Sequence, residues 1–419
     1  MPGESNLKRR LYSLALYLLL PWALFHLLWR ARKQPAYLEH MSERFGFFAG
    51  GTRSRIIWIH AVSVGETRAA EPLIKALQVR HPEHRILLTH GTPTGRQSGI
   101  ELYGDGVDRC YLPYDFGWAM RRFLRHFRPV VGVFMETEIW PNLIECSVRA
   151  SVPVYLVNAR MSENSARGYG RFGALTRDAL SKLSGIGAQS ERDAQRLTGL
   201  GAADISVTGN IKFDRVAPEE MLALGATLRG LFGARPVLLA ASTREGEETL
   251  ILDALAGMTT ADLLIVIVPR HPQRFDGVAA LAKQRGEQMQ RRSENQPIAA
   301  DTRIVIGDSM GELFAYYAAC DIAFVGGSLL PLGGQNLLEA CAVGCPVIVG
   351  PHTFNFEDAT RGAIEAGAAV RIAGAVELAE MTGRLLNDPK QRTAMSQAGN
   401  RFINAHRGAT QKTLALLRW

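Results

Sequence analysis

At 419 residues, with 47% hydrophobic side chains, the chain exceeds the usual size of one core and is too apolar for a disordered protein; two globular domains with an appendage are expected. Its net charge of +8 suits an anionic partner such as a phosphate-bearing ligand or acidic lipid, while the lack of a basic stripe interleaved with aromatic residues argues against nucleic acid. The five cysteines (Cys110, Cys146, Cys320, Cys341, Cys345) are odd in number and mostly have apolar neighbours, which fits buried free thiols in a reducing compartment; no second pair completes a zinc site, so no metal is implied.

The first predicted element is a hydrophobic helix. Leu11 to Trp29 carries no formal charge apart from a possible one on His26, and it is flanked by Lys8-Arg9-Arg10 and by Arg30, Arg32 and Lys33. Its length just reaches the roughly 20 residues needed to cross a bilayer core. No small-residue cleavage site follows, since the next residues are RARKQP, so a cleaved signal peptide is disfavoured. Pro21 can kink the helix, which leaves a segment embedded in one leaflet as an alternative to a full span, and a buried core helix as a third reading. Free thiols downstream place the body of the protein on the cytoplasmic face.

Short apolar runs then alternate with helical patterns. The strands predicted are Arg55–Val62, Arg85–His90, Arg109–Tyr114, Val130–Met135, Pro153–Asn158, Gly185–Gln189 and Ile205–Thr208. The pattern pauses at GNIKFDRVAPEE (209–220), and resumes with Pro236–Ala241, Leu263–Val268, Arg303–Ile306, Ile322–Val325 and Pro346–Val349. Alternation of this kind builds parallel sheets covered on both faces. The organisation expected is an anchor at 1–33, a Rossmann-like domain at 34–220 and a second at 221–419, with Ala375 to Trp419 helical.

Several motifs fall where strands hand over to helices, the edge at which open α/β sheets bind ligands. HAVSVGET (60–67) follows the first strand, and a single helix is predicted from Glu66 to Val79 with apolar residues at Ala69, Leu73, Ala76 and Leu77. Glu66 there either favours the helix N-terminus or is presented at the ligand edge. METEIWPN (135–142) brings Glu136 and Glu138, and GNIKFD brings Lys212. In the second half, Ser242 and Thr243 are expected at a helix start, and PRHPQR sets Arg270, His271 and Arg274 just beyond a strand, with forked donors for phosphate or carboxylate. GDSMGEL (307–313) has Ser309 and Glu312 spaced as a capping box, whose free N–H groups make an anion site. GGSLLPLGGQNLLEA (326–340) places Asn336 and Glu339 on one face of a helix expected to begin near Gln335, where a carboxylate can accept ribose hydroxyls. Each signal alone is ordinary scaffolding. Their convergence on one edge favours a nucleotide site, and neither a P-loop nor a dinucleotide fingerprint is present.

HAVSVGE, METEIWPN, GNIKFD, PRHPQR, GDSMGEL and GGQNLLEA, in this order and spacing, resemble the 3-deoxy-D-manno-octulosonic acid (Kdo) transferases over nearly the whole chain. The resemblance implies an α/β GT-B architecture of two facing Rossmann-like domains with an N-terminal membrane anchor. It also implies transfer of Kdo from CMP-Kdo to the glucosamine disaccharide of a lipid A precursor, inverting and metal-independent, at the cytoplasmic face of the inner membrane. Carried onto this chain it makes Glu66 the general base, with Glu136 and Lys212 stabilising the transition state. Arg270, His271, Met310, Gly311, Glu312, Asn336, Leu337, Leu338 and Glu339 would hold CMP; no cofactor and no metal is expected. Gln335 departs from the histidine often found at that position, and glutamine cannot carry a proton or charge. Arg30, Arg32, Lys33 and Arg44 are expected to form a basic rim for the acidic acceptor. The alternatives are another GT-B enzyme, of the lipid A disaccharide synthase or UDP-sugar epimerase kind, and a membrane-tethered nucleotide-binding module without turnover.

Overall fold

The computed structural model describes residues 2–32, 34–50, 54–258 and 262–419, with side chains from Leu7 onward. The chain divides into two units. The first contains the residues up to Asp214 together with Arg407–Trp419, and the second is Arg215–His406.

The first unit is a sheet of seven parallel strands, β1 (Arg55–His60), β2 (His84–His90), β3 (Asp108–Tyr111), β4 (Pro129–Met135), β5 (Val154–Ala159), β6 (Gly185–Ala188) and β7 (Ile205–Val207). They lie in the order β3-β2-β1-β4-β5-β6-β7. Its first nine α-helices are α1 (Pro2–Ala31), α2 (Val64–Ala69), α3 (Glu71–Arg80), α4 (Pro93–Tyr103), α5 (Gly117–Phe127), α6 (Pro141–Arg149), α7 (Glu163–Gly170), α8 (Gly173–Leu180) and α9 (Glu191–Gly199). The central strands read as unbroken apolar runs because both faces are covered. Trp58, Phe134 and Leu156 face one core with Phe123, Leu143 and Leu180, while Ile57, Ile59 and Val133 face the other with Leu73 and Leu77. The single helix predicted from Glu66 is two helices that meet at Ala70. Pro72 is the cause: it has no N–H to continue the ladder and suits the first turn of a new helix.

α1 packs on α6 and α8. Its attachment is polar along the first half. Arg9 pairs with Glu145 at 2.9 Å, Tyr12 donates to Asp115 at 3.0 Å, and Ser13 bonds Asn142. The outward face is apolar, with Leu7, Leu11, Leu14, Leu18, Trp22, Phe25 and Trp29 all exposed at helical spacing. Leu27 and Ala31 are buried against Tyr37, over which Arg30 stacks at 4.6 Å. Arg44, expected on a basic rim, is instead buried, its guanidinium 4.0 Å from the Tyr111 ring centre and bonded to the Gly91 carbonyl. A delocalised, weakly hydrated cation can be stacked inside in this way. Arg30 and Arg32 are exposed, and Lys33 lies outside the described residues.

The second unit repeats the plan with β8 (Val237–Thr243), β9 (Leu264–Pro269), β10 (Met289–Arg291), β11 (Ile304–Ile306), β12 (Ile322–Val325), β13 (Val347–Val349) and β14 (Ala369–Arg371), again all parallel, in the order β10-β11-β9-β8-β12-β13-β14. Its core is aliphatic, built from Leu238, Ile265, Ile304 and Ile348 against Leu252 and Val278. The chain end departs from the predicted division at 221. Helix Ala409–Leu416 packs on α3 in the first unit, and Asp214 caps its start by accepting from the backbone N–H groups of Gly408, at 2.6 Å, and Thr410. Tyr155 bonds the backbone of Arg418 next to it.

Candidate active site

On the first unit the chemistry gathers at the carboxyl ends of the neighbouring strands β1 and β4. Ser63 caps α2 and its hydroxyl donates to Glu66 Oε1 at 2.8 Å, while the Val62 N–H donates to Oε2 at 2.8 Å and the Glu66 N–H returns a bond to Ser63. The two readings of Glu66 are therefore not exclusive: its carboxylate closes a capping arrangement and still sits among acids. Burial, with the charges of Glu136 and Glu138, pushes its carboxyl up to about 7, against the pull of the Val62 and Ser63 bonds. An acid of that strength can exchange a proton near neutrality.

Glu136 follows β4 with a left-handed backbone (φ 59°), uncommon for a side chain larger than glycine, and accepts from Lys212 at 2.9 Å. Two positions on, Glu138 accepts from the Trp140 indole at 2.5 Å and lies 3.8 Å from His60. That last contact is not an ion pair. Complete burial holds His60 neutral, lowering it to about 3, and its Nδ1 bonds Thr89 at 2.9 Å. Burial also raises Glu138 above the usual carboxylate range. Thus the structure brings Glu66, Glu136, Glu138 and Lys212 together at one sheet edge.

The turn bearing Lys212 is built from amides. Asn158 Oδ1 accepts from Ile211 N at 3.0 Å, and Asn210 accepts from Lys212 N at 3.0 Å and donates to Gln189. Asn158 itself adopts a left-handed backbone at the end of β5 (φ 51°), a conformation asparagine tolerates. Neither Asn158 nor His60 was singled out from the sequence. An asparagine ending an apolar strand was the available signal for the first; nothing marked the second.

On the second unit the nucleotide-binding expectations divide. Arg270 bonds backbone to backbone with Thr243, and its Nε donates to Gln335 at 3.2 Å, so Gln335 orients an arginine. His271 is exposed at the surface, and partial burial with Arg270, Arg244 and Arg274 lowers its pKa. Arg274, by contrast, is committed to the structure, holding the buried Glu248 in two bonds of 2.5 and 2.8 Å. Ser242 and Thr243 close β8; they do not open a helix, which starts at Glu247.

The capping box expected at 309–312 is not formed. Gly311 takes a left-handed turn (φ 83°), the helix begins at Leu313, and Ser309 bonds Glu312 side chain to side chain at 2.6 Å. Glu312 also pairs with Arg292, at 3.3 Å, while Met310 is exposed. In the next loop Gly333 and Gly334 are both left-handed, so the helix starts at Leu338, later than expected. Asn336 accepts from the Leu338 N–H at 3.1 Å and donates to Glu339 at 3.3 Å, and Leu337 and Leu338 are buried. Glu339 is paired with Arg215.

Glu247, overlooked in the sequence, organises the glycine loop. It is fully buried and accepts from the N–H groups of Gly327 (2.6 Å), Leu329 (3.0 Å) and Arg244 (2.9 Å). Such a carboxylate turns part of the loop's donor set inward. A side chain at Gly326 would put Cβ 2.7 Å from Thr243 Cα and 2.8 Å from the Ser242 carbonyl, both backbone. Gly326→Ala should therefore cost roughly 1–3 kcal/mol, read as a lower midpoint in thermal unfolding; an unchanged midpoint would show that the loop yields freely.

Among the described residues, the one group of histidine and carboxylate atoms with metal-ligand spacing is His81, Glu83 and His84, at the amino end of β2 and away from these acids.

Comparison with known proteins gives the family and the fold. Residues 39–215 match the family described as 3-deoxy-D-manno-octulosonic-acid transferase (kdotransferase), and residues 249–402 match glycosyl transferases group 1. The chain is 44% identical to 3-deoxy-D-manno-octulosonic acid transferase of Bordetella pertussis over 98% of each chain, and 39% identical to that of Haemophilus influenzae over 92% of each. A glycosyltransferase from Rickettsia africae, at 14% identity, shares the fold with a TM-score of 0.58 over 87% of this chain and 98% of its own. The two parallel sheets are those of a GT-B glycosyltransferase. By sequence and by fold, the chain belongs to the 3-deoxy-D-manno-octulosonic acid transferase family and is a glycosyltransferase.

Proposed function

We propose that this Kdo transferase moves Kdo from CMP-Kdo to a glucosamine hydroxyl of a lipid A precursor, with inversion and without a divalent metal. The observation that carries the reading is Glu66, a carboxyl near neutrality beside a Glu136–Lys212 pair. Glu66 takes the proton of the acceptor hydroxyl as the new glycosidic bond forms from oxygen to the anomeric carbon. CMP departs with the electron pair of the bond that breaks, and the sugar centre passes through oxocarbenium character. Lys212 and Glu136 stabilise the charges of that state. Arg270, oriented by Gln335, with His271 and the 310–312 backbone, binds the cytidylate phosphate, so cationic side chains and N–H groups take the part a metal plays elsewhere. Asn336, Leu337, Leu338 and Glu339 hold the rest of the CMP moiety, with a carboxylate available to its ribose hydroxyls. The exposed apolar face of α1, with Arg30 and Arg32 at its end, seats the enzyme on the cytoplasmic side of the inner membrane, where an acylated, phosphorylated acceptor resides.

The test is incubation of the full-length protein with CMP-Kdo and a lipid A precursor, in chelator, with products weighed by mass spectrometry. A product heavier by Kdo is expected. Arg270→Ala should weaken CMP binding by about 10- to 100-fold, the worth of a charge-assisted contact. Tighter binding of UDP than CMP would overturn the donor assignment, and activity only with added divalent ion would overturn the metal-free reading.

A further inference from the structure

A second concave surface lies on the first unit, at the opposite end of β4 from the catalytic acids. It is a cavity of about 720 Å³, rimmed by Arg121, Arg125, Arg128 and Arg149 over a floor that includes Leu124 and Val152. Pro129 begins β4 there, whereas Glu136 follows its far end, about 20 Å along the strand. Arg121, Arg125 and Arg128 are exposed and make no ion pair with a carboxylate among the described residues. Arg149 shares Glu145 with Arg9 and with Lys182, which also pairs with Asp178. The rim is strongly positive with an apolar floor beneath it.

Arg128 adds a second signal. It ends α5 in the left-handed region (φ 46°), where glycine is the default residue, so the chain keeps a long cation at a position that penalises it. The place of the groove indicates the ligand. α5 and α6 lie in the same helical layer as α8, and α1 packs on α6 and α8. Arg9 of α1 and Arg149 of the groove meet on the same Glu145 oxygen, at 2.9 and 2.6 Å. The outward apolar face of α1 thus begins one ion pair away from the groove.

We propose that this groove binds the headgroup phosphate of an anionic phospholipid, the guanidiniums holding the phosphate and the floor receiving the glycerol and first acyl carbons. The site goes beyond the transfer reaction and would stand if the acceptor assignment failed, needing only that α1 meets a bilayer. Guanidinium forks match phosphate oxygens, and juxtamembrane basic residues favour acidic lipid by about fivefold each.

The experiment measures binding of the full-length protein to vesicles of phosphatidylcholine, alone or mixed with phosphatidylglycerol. The wild type should prefer the mixed vesicles by at least about tenfold. Arg121→Gln/Arg125→Gln/Arg128→Gln should lose most of that preference and keep its binding to phosphatidylcholine through α1. A charge-matched control on the other unit, Arg384→Gln/Lys390→Gln/Arg401→Gln, should retain the preference. Arg128→Gly separates the site from folding, because glycine suits the backbone there: thermal stability should rise while the preference falls by about fivefold. Equal loss in both triple variants would reduce the effect to diffuse charge and overturn the site. So would the absence of any preference in the wild type.

Discussion

Glu66→Gln is expected to lower the rate of Kdo transfer by roughly two to four orders of magnitude, the usual worth of a positioned general base, while leaving CMP affinity unchanged. Its effect on stability should have the opposite sign. The folded carboxyl titrates at about 7, above its ordinary 4.5, so the folded state binds the proton more tightly than the unfolded chain. The cost of this shift is absent below pH 4.5, grows as pH rises to 7 and is complete above that. Discounted for partial exposure, it amounts to about 1–3 kcal/mol. Glutamine removes the charge and retains a carbonyl for the Val62 N–H, so the variant should match or exceed the wild type in melting temperature at pH 8 and lose that advantage at pH 4. In the wild type, kcat/KM should rise with pH through an acid limb near 7. Transfer persisting in Glu66→Gln at the wild-type rate would remove the base assignment, and a variant that is inactive but also unstable at pH 8 would point to the capping role alone.

Central strands were legible because burial on both faces forces an apolar run: Ile56–Ile59, Val237–Leu239 and Ile322–Val325 announce themselves. β10 and β14 escaped notice for the same reason in reverse. They are the two edges of the second sheet, and Met289–Arg291 is half-buried along its length, with no apolar run to read. Helix starts after glycine pairs were placed too early, because spacing alone does not reveal that Gly311, Gly333 and Gly334 turn left-handed before the helix begins. Residue type misled most where a cation is used internally. Arg44 stacked on Tyr111 and Arg274 clasping Glu248 look, in sequence, no different from Arg270. Of the candidate site, the acids and Lys212 were visible from their place after strands, whereas Glu247 and Asn158 act by holding backbone N–H groups from distant segments, which only the folded chain brings to them.

Lys212→Ala should reduce kcat by about 10²- to 10³-fold, as expected when a preorganised charge is removed from a transition state. The pH profile distinguishes this from mere loss of packing. In the wild type the Lys212 ammonium, 2.9 Å from Glu136, offsets a negative charge that already helps to raise Glu66. Without the lysine that charge is uncompensated, Glu66 is harder to ionise, and the acid limb should move above 7. Glu136→Gln removes the charge itself and should move the limb the other way, below 7. In the double variant the two shifts oppose and should largely cancel, returning the limb toward 7, because the fields of the two charges at Glu66 superpose. Lys212→Arg, which keeps the charge, should leave the limb near its wild-type position even if geometry lowers kcat. Limbs that stay together in all four variants would mean that the acid governing the rate is not Glu66, and the proton would have to be taken elsewhere.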